Sequence, residues 1–289
     1  MKIYIDGRLY AREDARISVF DHGLLYGDGV FEGVRIYARR VFRLDAHLAR
    51  LAASAHAIGL ALPLDRAQLA EAVRETVRAN RQSDGYIRLV VTRGDGPLGL
   101  DPTTCARPRV IIIVADVAVY PAALYESGIR IVTAATRQVP VASVDPRIKS
   151  LNYLKNVLAR LEAHAAGAAE ALMLNGDGFV AECTADNVFA VRDGIVRTPP
   201  ATEGALDGIT RAVVRELAAE SGLAFREERL ARYDLFTANE CFLSGTGAEL
   251  VPVVALDGRP IADGRPGALT RRLTAGLRAL AEREGEPVF

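Results

Sequence analysis

The sequence predicts a mixed α/β fold (α/β with α+β character), in which short β-strands and amphipathic helices alternate along 289 residues. Three observations predict it. Hydrophobic residues make up 50% of the chain, which is enough for one large buried core or two smaller ones. Runs rich in Val and Ile alternate with segments of helical periodicity, and neither an internal repeat nor a low-complexity tract interrupts them.

Strands and hairpins dominate the N-terminal part of the chain. Apolar alternation predicts strands at 2–5, 8–10, 34–37 and 41–42. Two amphipathic helices follow at 44–58, with Asp45 as a possible N-cap, and at 64–80. Two further strands at 86–92 and 109–117 flank a loop rich in Gly and Pro.

Strands and helices interleave in the C-terminal part. We expect strands at 129–133, 171–174, 187–191, 240–243 and 251–256, and helices that begin at Leu151, Ile209 and Gly267. The Pro-containing segment around Tyr120 breaks both periodicities, which indicates a linker between domains. The expected organisation is a small N-terminal domain at 1–118, a linker at 119–125 and a larger domain at 126–289.

Charge and composition argue against several functional classes. The 36 acidic and 36 basic side chains balance, so no long-range field favours nucleic acid or an anionic membrane. The apolar run at 110–114 is far shorter than the ~20 residues of a membrane helix, and the N-terminus lacks a signal-peptide pattern. Three widely spaced cysteines form no paired motif, so we expect reduced packing residues, no metal site and a cytoplasmic protein.

Lysine is scarce in this chain, where Lys2, Lys149 and Lys155 stand against 33 arginines. Arginine replaces lysine as a surface cation, but its guanidinium stays protonated and cannot condense with an aldehyde. Lys149 lies where a Pro-containing connection meets the apolar segment 151–166, which predicts an amine at a loop-to-helix junction. Schiff-base chemistry at Lys149 is one hypothesis, and a codon bias toward arginine would also explain the scarcity.

A Schiff base to pyridoxal phosphate needs a carboxylate at the pyridine nitrogen and a hydrogen-bond donor near the phenolic oxygen. Glu182 ends an apolar stretch, where an ionised carboxylate would require a cationic partner. Tyr153 follows Lys149 by four residues, on the expected first turn of the helix. Taken singly, each residue also has a structural explanation: a solvated strand end for the glutamate and core packing for the tyrosine.

Two segments of small residues are candidates for binding the phosphate. Gly208-Ile209-Thr210 precedes an apolar-periodic run, so its backbone amides would point out of a helix N-terminus. Ser244-Gly245-Thr246-Gly247 follows a strand and allows an anion to approach the backbone closely. Ordinary helix capping and an ordinary glycine-rich turn are the alternatives.

Ordered motifs along nearly the whole chain resemble fold-type IV pyridoxal-phosphate enzymes, most closely branched-chain amino-acid aminotransferases. They include Gly29-Val30-Phe31-Glu32-Gly33-Val34-Arg35, Ile148-Lys149-Ser150-Leu151-Asn152-Tyr153, Gly208-Ile209-Thr210-Arg211 and Ser244-Gly245-Thr246-Gly247-Ala248-Glu249. The resemblance implies a small and a larger α/β domain with the active site between them. It implies pyridoxal 5'-phosphate on Lys149, with Glu182 at the pyridine nitrogen and Tyr153 near the phenolic oxygen. The implied phosphate cup is Arg50, Ile209, Thr210 and Thr246.

The resemblance also implies a reaction and its partners. The amino group of a branched-chain L-amino acid (leucine, isoleucine or valine) would pass to 2-oxoglutarate by a ping-pong mechanism, with Lys149 moving the proton. The implied substrate residues are Tyr26, Phe31, Gly33, Arg35, Tyr86, Arg88, Thr246 and Gly247. A homo-oligomer, dimer or hexamer, is implied too, because Tyr26 and the apolar loop 94–101 would reach a neighbouring subunit's pocket.

Rival functions remain within the same fold. D-amino-acid aminotransferases, R-selective amine aminotransferases and aminodeoxychorismate lyases share the cofactor residues, and a cofactor-free binding protein is a fourth alternative. The loop 93–101 lacks the histidine typical of the D-specific enzymes. The chain has no tryptophan, so Val117 or Tyr120 is expected where some branched-chain enzymes have a pocket tryptophan. The segment 183–187 also lacks the glycines expected after the glutamate.

Overall fold

A computed structural model describes residues 1–288, and the chain forms two compact units. The first comprises Met1–Val117, Ile148–Asn152 and the C-terminal segment that begins at Ala281. The second comprises Ala118–Arg147 and Tyr153–Leu280. The domain boundaries inferred from the sequence stay a prediction, and the compact units differ from them at 148–152 and after 280.

Helices and strands interleave along the chain, as the sequence predicts. In order they are β1 (Lys2–Ile5), β2 (Arg8–Ala11), α1 (His22–Tyr26), β3 (Gly29–Tyr37), β4 (Arg40–Val41), α2 (Leu44–Ala57), α3 (Arg66–Asn80), β5 (Gly85–Thr92), β6 (Arg109–Ala115), α4 (Ala122–Ser127), β7 (Ile129–Thr133), α5 (Leu154–Ala165), β8 (Glu170–Leu174), β9 (Val180–Cys183), β10 (Asn187–Arg192), β11 (Ile195–Thr198), α6 (Ile209–Glu220), β12 (Ala224–Glu227), α7 (Arg232–Phe236), β13 (Glu240–Gly245), β14 (Glu249–Leu256), β15 (Arg259–Pro260), α8 (Ala268–Arg283) and β16 (Glu286–Pro287).

The first unit is built on an antiparallel seven-stranded sheet in the order β16-β4-β3-β5-β6-β1-β2. Helix α2 packs on β3, and α3 packs on β1 and β6. On β3, Val30, Val34 and Ile36 belong to the core beneath these helices. Because side chains alternate along a strand, Phe31 and Gly33 lie on the opposite face of the sheet.

The second unit is built on a mixed nine-stranded sheet in the order β12-β11-β10-β13-β14-β7-β8-β9, with β15 paired to β14. Neighbours β14, β7 and β8 run parallel, whereas β13 is antiparallel to both β10 and β14. Helix α5 packs on β8, and α6 packs on β13. Phe189 and Phe242 stack across β10 and β13 with ring centroids 4.7 Å apart. Among the described residues, no helix combines the length and apolarity needed to span a membrane.

One expected helix cap and one expected helix start are wrong. Asp45 does not cap α2, because the N-cap is Arg43, which has a φ of 53° and no side-chain cap bond, and Asp45 pairs instead with Arg66. Helix α5 begins at Leu154 rather than at Leu151. The residues before it pair with β3: Phe31 N donates to Lys149 O at 3.0 Å, and Leu151 N donates to Gly29 O at 2.9 Å. These backbone groups are satisfied outside a helix, so Lys149 lies on a short extended segment.

Candidate active site

Backbone hydrogen bonds hold the segment around Lys149 in position. Besides the contacts with β3, its backbone N donates to Ser54 Oγ on α2 at 3.1 Å. The Lys149 Nζ lies 4.6 Å from the centroid of the Phe31 ring, and the Arg88 guanidinium lies 4.5 Å from the same centroid. Both distances are in the range of cation–π attraction. The predicted amine, the predicted arginine and the predicted aromatic residue are therefore neighbours in the first unit.

Gly33 makes room for the hydroxyl of Tyr86. In the β3–β5 register Gly33 faces Arg88 and Arg35 faces Tyr86, so all four lie close together on one face. A Cβ atom at position 33 would overlap the Tyr86 hydroxyl. Arg88 Nη2 donates to Tyr86 Oη at 3.4 Å. A guanidinium and a phenol next to Phe31 form a group that can bind a carboxylate.

Two other predicted substrate residues have different surroundings. The Arg35 guanidinium lies 5.0 Å from the centroid of the Tyr37 ring. Tyr26 ends α1, and its hydroxyl accepts a hydrogen bond from Gly99 N at 3.0 Å. The Tyr26 ring also meets the His22 ring edge-on, with centroids 5.0 Å apart. Tyr26 is thus attached to the apolar loop 94–101.

Arg50 is anchored by the buried carboxylate of Glu32, a residue without a predicted role. Glu32 is fully buried and accepts from Arg50 Nε at 2.7 Å, from Arg50 Nη2 at 2.8 Å and from His47 Nδ1 at 2.7 Å. Since a carboxylate only accepts, Nδ1 of His47 carries the hydrogen. The signal was present in the sequence, because Glu32 interrupts the apolar positions Val30 and Val34 on the core face of β3.

The charges of this cluster are fixed by its hydrogen bonds. Burial opposes ionisation of Glu32, but the bonds and charges of Arg50 and His47 outweigh it and hold its pKa at about 2. Burial lowers the pKa of His47 more than the bond to Glu32 raises it. An ionised Glu32 therefore holds the guanidinium of Arg50 in one orientation, which suits a cation that binds phosphate.

Glu182 lies at the end of β9 in the second unit, as predicted, and is held by two donors. Gln138 Nε2 donates to its Oε1 at 2.8 Å, and the backbone N of Leu206 donates to its Oε2 at 2.9 Å. Burial lowers the pKa of the nearby Lys155, and the Glu182 charge opposes that shift. No sequence pattern pointed to Gln138, whose contact with Glu182 spans 44 positions. A carboxylate oriented in this way can face a protonated ring nitrogen.

The two segments predicted to bind an anion both lie in the second unit. Helix α6 begins at Ile209 after Gly208, and no side chain caps it, so the first amides, including that of Thr210, have no acceptor within the helix. Thr246 and Gly247 lie in the turn between β13 and β14. One expected phosphate segment thus lies at a helix N-terminus and the other in a turn between strands, and their role in binding an anion stays a prediction.

Two predicted positions are placed differently from the expectation. Tyr153 is the N-cap residue of α5, one position before the helix rather than on its first turn. Tyr120, one of two candidates for a pocket residue in place of tryptophan, is buried in the core of the second unit. Its hydroxyl lies 3.3 Å from both Glu170 and Asp186. Tyr120 is therefore part of a buried polar cluster, while Val117 is partly exposed.

We predict that Glu32→Gln lowers the free energy of unfolding at neutral pH by about 3 kcal/mol, the equivalent of its pKa shift from 4.5. The folded-state pKa lies below the unfolded value, so this stabilisation is present above about pH 4.5 and is lost as the pH falls towards 2. Urea titrations between about pH 7 and about pH 3 should show the gap between variant and parent shrinking. Exposed Glu126→Gln is the control, and a pH-independent gap would contradict the role of Glu32.

Comparison with known proteins identifies the family of this chain. The family model described as amino-transferase class IV matches residues 29–256. A putative branched-chain-amino-acid aminotransferase of Methanocaldococcus jannaschii is 46% identical, covering 100% of this chain and 99% of the relative. A D-alanine aminotransferase of Bacillus licheniformis is 36% identical, covering 96% of each chain. The crystal structure of the Escherichia coli branched-chain amino acid aminotransferase has a TM-score of 0.95 at 35% identity, covering 98% of this chain and 96% of that one.

The family match covers most of the chain, and it includes the strand that carries Phe31 and Gly33, the segment of Lys149 and both predicted anion-binding segments. The relatives are aligned over nearly their full lengths. The chain belongs to the class IV aminotransferase family, and its fold is fold type IV.

Proposed function

We propose that this aminotransferase moves the amino group of leucine, isoleucine or valine to 2-oxoglutarate in a ping-pong cycle. The observation that carries the proposal is the group around Phe31, where the Lys149 amine and the Arg88 guanidinium lie within 4.6 Å and 4.5 Å of one apolar ring. An amine, a carboxylate-binding cation and an apolar surface are what an aliphatic amino acid requires. The relatives named as branched-chain enzymes support the same substrate class.

The residues present fit the cofactor. Fold-type IV aminotransferases use pyridoxal 5'-phosphate, which supplies an electron sink for the substrate carbanion when bound. Lys149, which is held beside β3, would bind the aldehyde of the cofactor. The phosphate would accept hydrogen bonds from the first backbone amides of α6, which have no acceptor within the helix, and from the guanidinium of Arg50. Its ring nitrogen would face Glu182, whose oxygens are already oriented by two donors.

Each side chain then has a proposed task. Lys149, once free, takes the proton from the substrate α-carbon and returns it on the cofactor side. Glu182 keeps a proton on the pyridine nitrogen, which stabilises negative charge that develops at the α-carbon. Arg88 and the Tyr86 hydroxyl hold the α-carboxylate, assisted by the amides of Thr246 and Gly247. Tyr153 stands by the phenolic oxygen.

D-Amino-acid transamination is the second candidate, because the D-alanine aminotransferase is also a full-length relative. The two functions use the same cofactor groups and differ in which face of the substrate is presented to the lysine. The loop 93–101 has no histidine, which favours the branched-chain function. The expected cytoplasmic location stays a proposal.

We predict that L-leucine, L-isoleucine and L-valine are the best amino donors with 2-oxoglutarate as acceptor. The apolar Phe31 ring offers the substrate side chain neither a charge nor a hydrogen bond, so donors with aliphatic side chains should bind best. Initial rates for these donors, D-alanine and (R)-1-phenylethylamine decide the matter. A clear preference for D-alanine would establish the second candidate, and pyruvate release without an oxoacid acceptor would indicate a lyase.

We predict that Lys149→Ala abolishes transamination but leaves the protein folded and able to bind the cofactor without a covalent bond. No other amine lies on the segment paired to β3, so nothing can replace it. Borohydride reduction and peptide mapping should find the cofactor on Lys149 in the parent enzyme, with exposed Lys2→Ala as the active control. Label at Lys155 or Lys2 would refute the assignment.

We propose that the chain forms a homo-oligomer, dimer or hexamer, through the surface made by α1 and the loop 94–101. Leu98 and Leu100 are 73% and 80% exposed, and Leu24 on α1 is 60% exposed. The two segments are joined by the bond between His22 Nε2 and Pro97 O at 3.0 Å and by the bond from Gly99 to Tyr26. A surface this apolar is typical of a subunit contact.

We predict that the double variant Leu98→Asp/Leu100→Asp sediments as a smaller species than the parent and turns over L-leucine more slowly. Each introduced carboxylate would have to lose its water on burial in the subunit contact, which weakens the association. Exposed Tyr233→Ser in the second unit is the control, since its loss should not change the sedimentation coefficient. A parent enzyme that is monomeric and fully active would rule out the proposal.

A further inference from the structure

A cluster of buried acids lies beside the turn that holds Thr246 and Gly247. Asp186, between β9 and β10, and Glu170 on β8 are 4% and 2% exposed. The hydroxyl of Tyr120 lies 3.3 Å from Glu170 Oε2 and 3.3 Å from Asp186 Oδ2. Because a tyrosine hydroxyl has a single hydrogen, it can donate to only one of the two carboxylates at a time.

Glu170 has the stronger set of donors. Its Oε1 accepts from Ala171 N at 2.7 Å and from Thr184 Oγ1 at 2.6 Å, and its Oε2 accepts from Arg160 Nη1 at 2.7 Å. The Arg160 guanidinium is a charged donor, and its bond to Glu170 Oε2 places a positive charge beside that carboxyl group. The Tyr120 hydrogen is therefore best placed on Glu170.

Asp186 is left with a single partner. Among residues 1–288, the Tyr120 hydroxyl is the only group with a side-chain hydrogen bond to its carboxyl oxygens. If Asp186 carries a proton, it can donate to the Tyr120 oxygen while Tyr120 donates to Glu170, and every group in the chain is satisfied. If Asp186 is ionised, its buried negative charge lies near the carboxyl groups of Glu170 and Glu182. Its one side-chain donor, the Tyr120 hydroxyl, is then shared with Glu170.

Burial and the neighbouring carboxylates favour the same protonated form of Asp186. Burial is the largest influence, and with the repulsion from Glu170 it raises the pKa of Asp186 to about 7, although Tyr120 and Arg160 oppose the shift. Glu182 adds a smaller repulsion. Burial also raises the pKa of the adjacent Cys183, so the thiol stays neutral and contributes no charge at neutral pH.

The Asp186 carboxyl is in direct contact with the backbone of the anion-binding turn. A Cβ atom at Gly245 would overlap Asp186 Oδ1, and it would also approach Ala185 O to 3.4 Å. Gly245 is the residue immediately before Thr246, whose amide and that of Gly247 are the proposed donors to an anion. A negative charge on Asp186 would therefore lie next to the backbone that receives the anion.

We propose that Asp186 is a positioning residue that links anion binding at the Thr246–Gly247 turn to a proton. Protonated, it supports Gly245 as a neutral group and closes the hydrogen-bond chain to Glu170. Ionised, it repels the bound anion and loses its place in that chain. The identity of the anion, the cofactor phosphate or the substrate carboxylate, rests on the proposed function, whereas the protonation of Asp186 does not.

The test compares the parent with Asp186→Asn, which keeps the shape but cannot ionise. Affinities of the cofactor-free protein for pyridoxal 5'-phosphate and for inorganic phosphate are measured from about pH 6 to about pH 8.5, across the Asp186 pKa. The ratio of variant to parent affinity cancels the titration of the phosphate itself. We expect a ratio near one at the acidic end and about ten at the alkaline end. A ratio that does not change with pH overturns the coupling.

A second measurement needs no variant. Carbon-13 NMR of the parent with labelled aspartate should show one carboxyl that titrates near neutrality, and the absence of such a signal overturns the proposal. The two ideas fail separately. The phosphate affinity ratio could change with pH while the cofactor never attaches to Lys149. That result would refute the proposed function and leave the role of Asp186 standing. Covalent attachment with identical pH profiles in parent and variant would refute the role of Asp186 alone.

Discussion

The pairing of residues 149–151 with β3 is the interaction on which the first unit depends for its chemistry. Two backbone hydrogen bonds, from Phe31 to Lys149 and from Leu151 to Gly29, fix the lysine alongside the strand. The same strand presents Phe31 and Gly33 on one face and Glu32 on the other. The amine, the proposed carboxylate-binding group and the anchor of Arg50 are thus set by the register of one strand, so a slip of one residue would misplace all of them.

Two buried carboxylates in this protein show how donors decide charge. Glu32 accepts three hydrogen bonds from Arg50 and His47, and it is ionised although fully buried. Asp186 is nearly as buried but shares a single hydroxyl with Glu170, and its pKa is raised. Burial alone would push both toward the neutral form, so the number and charge of the donors make the difference. One carboxylate is a fixed anchor for a cation, and the other is a group that can titrate.

Local patterns predicted the elements, while contacts between distant segments set the details that matter for the site. Periodicity located the longer helices and strands, but it missed short ones such as α4 and β11. Lysine scarcity pointed to Lys149. The start of α5 and the absent cap at Asp45 could not be predicted, because pairing with β3 and a left-handed Arg43 override local preference. Gln138 and the Tyr120 cluster were missed for the same reason. Their partners are tens of residues away in sequence, and a buried polar pair produces no periodic pattern along the chain.

Three glycines explain why small residues recur in the family motifs of this chain. At Gly33, Gly208 and Gly245 an added Cβ would overlap a polar atom: the Tyr86 hydroxyl, Asn187 Oδ1 and Asp186 Oδ1. None of the three has the positive φ that only glycine adopts easily, so the requirement is space rather than backbone conformation. Each gap lets a polar side chain touch the backbone at a place where a carboxylate or phosphate is expected. Alanine at these positions would therefore displace the polar group first, and its effect should fall on ligand binding more than on the packing of either core.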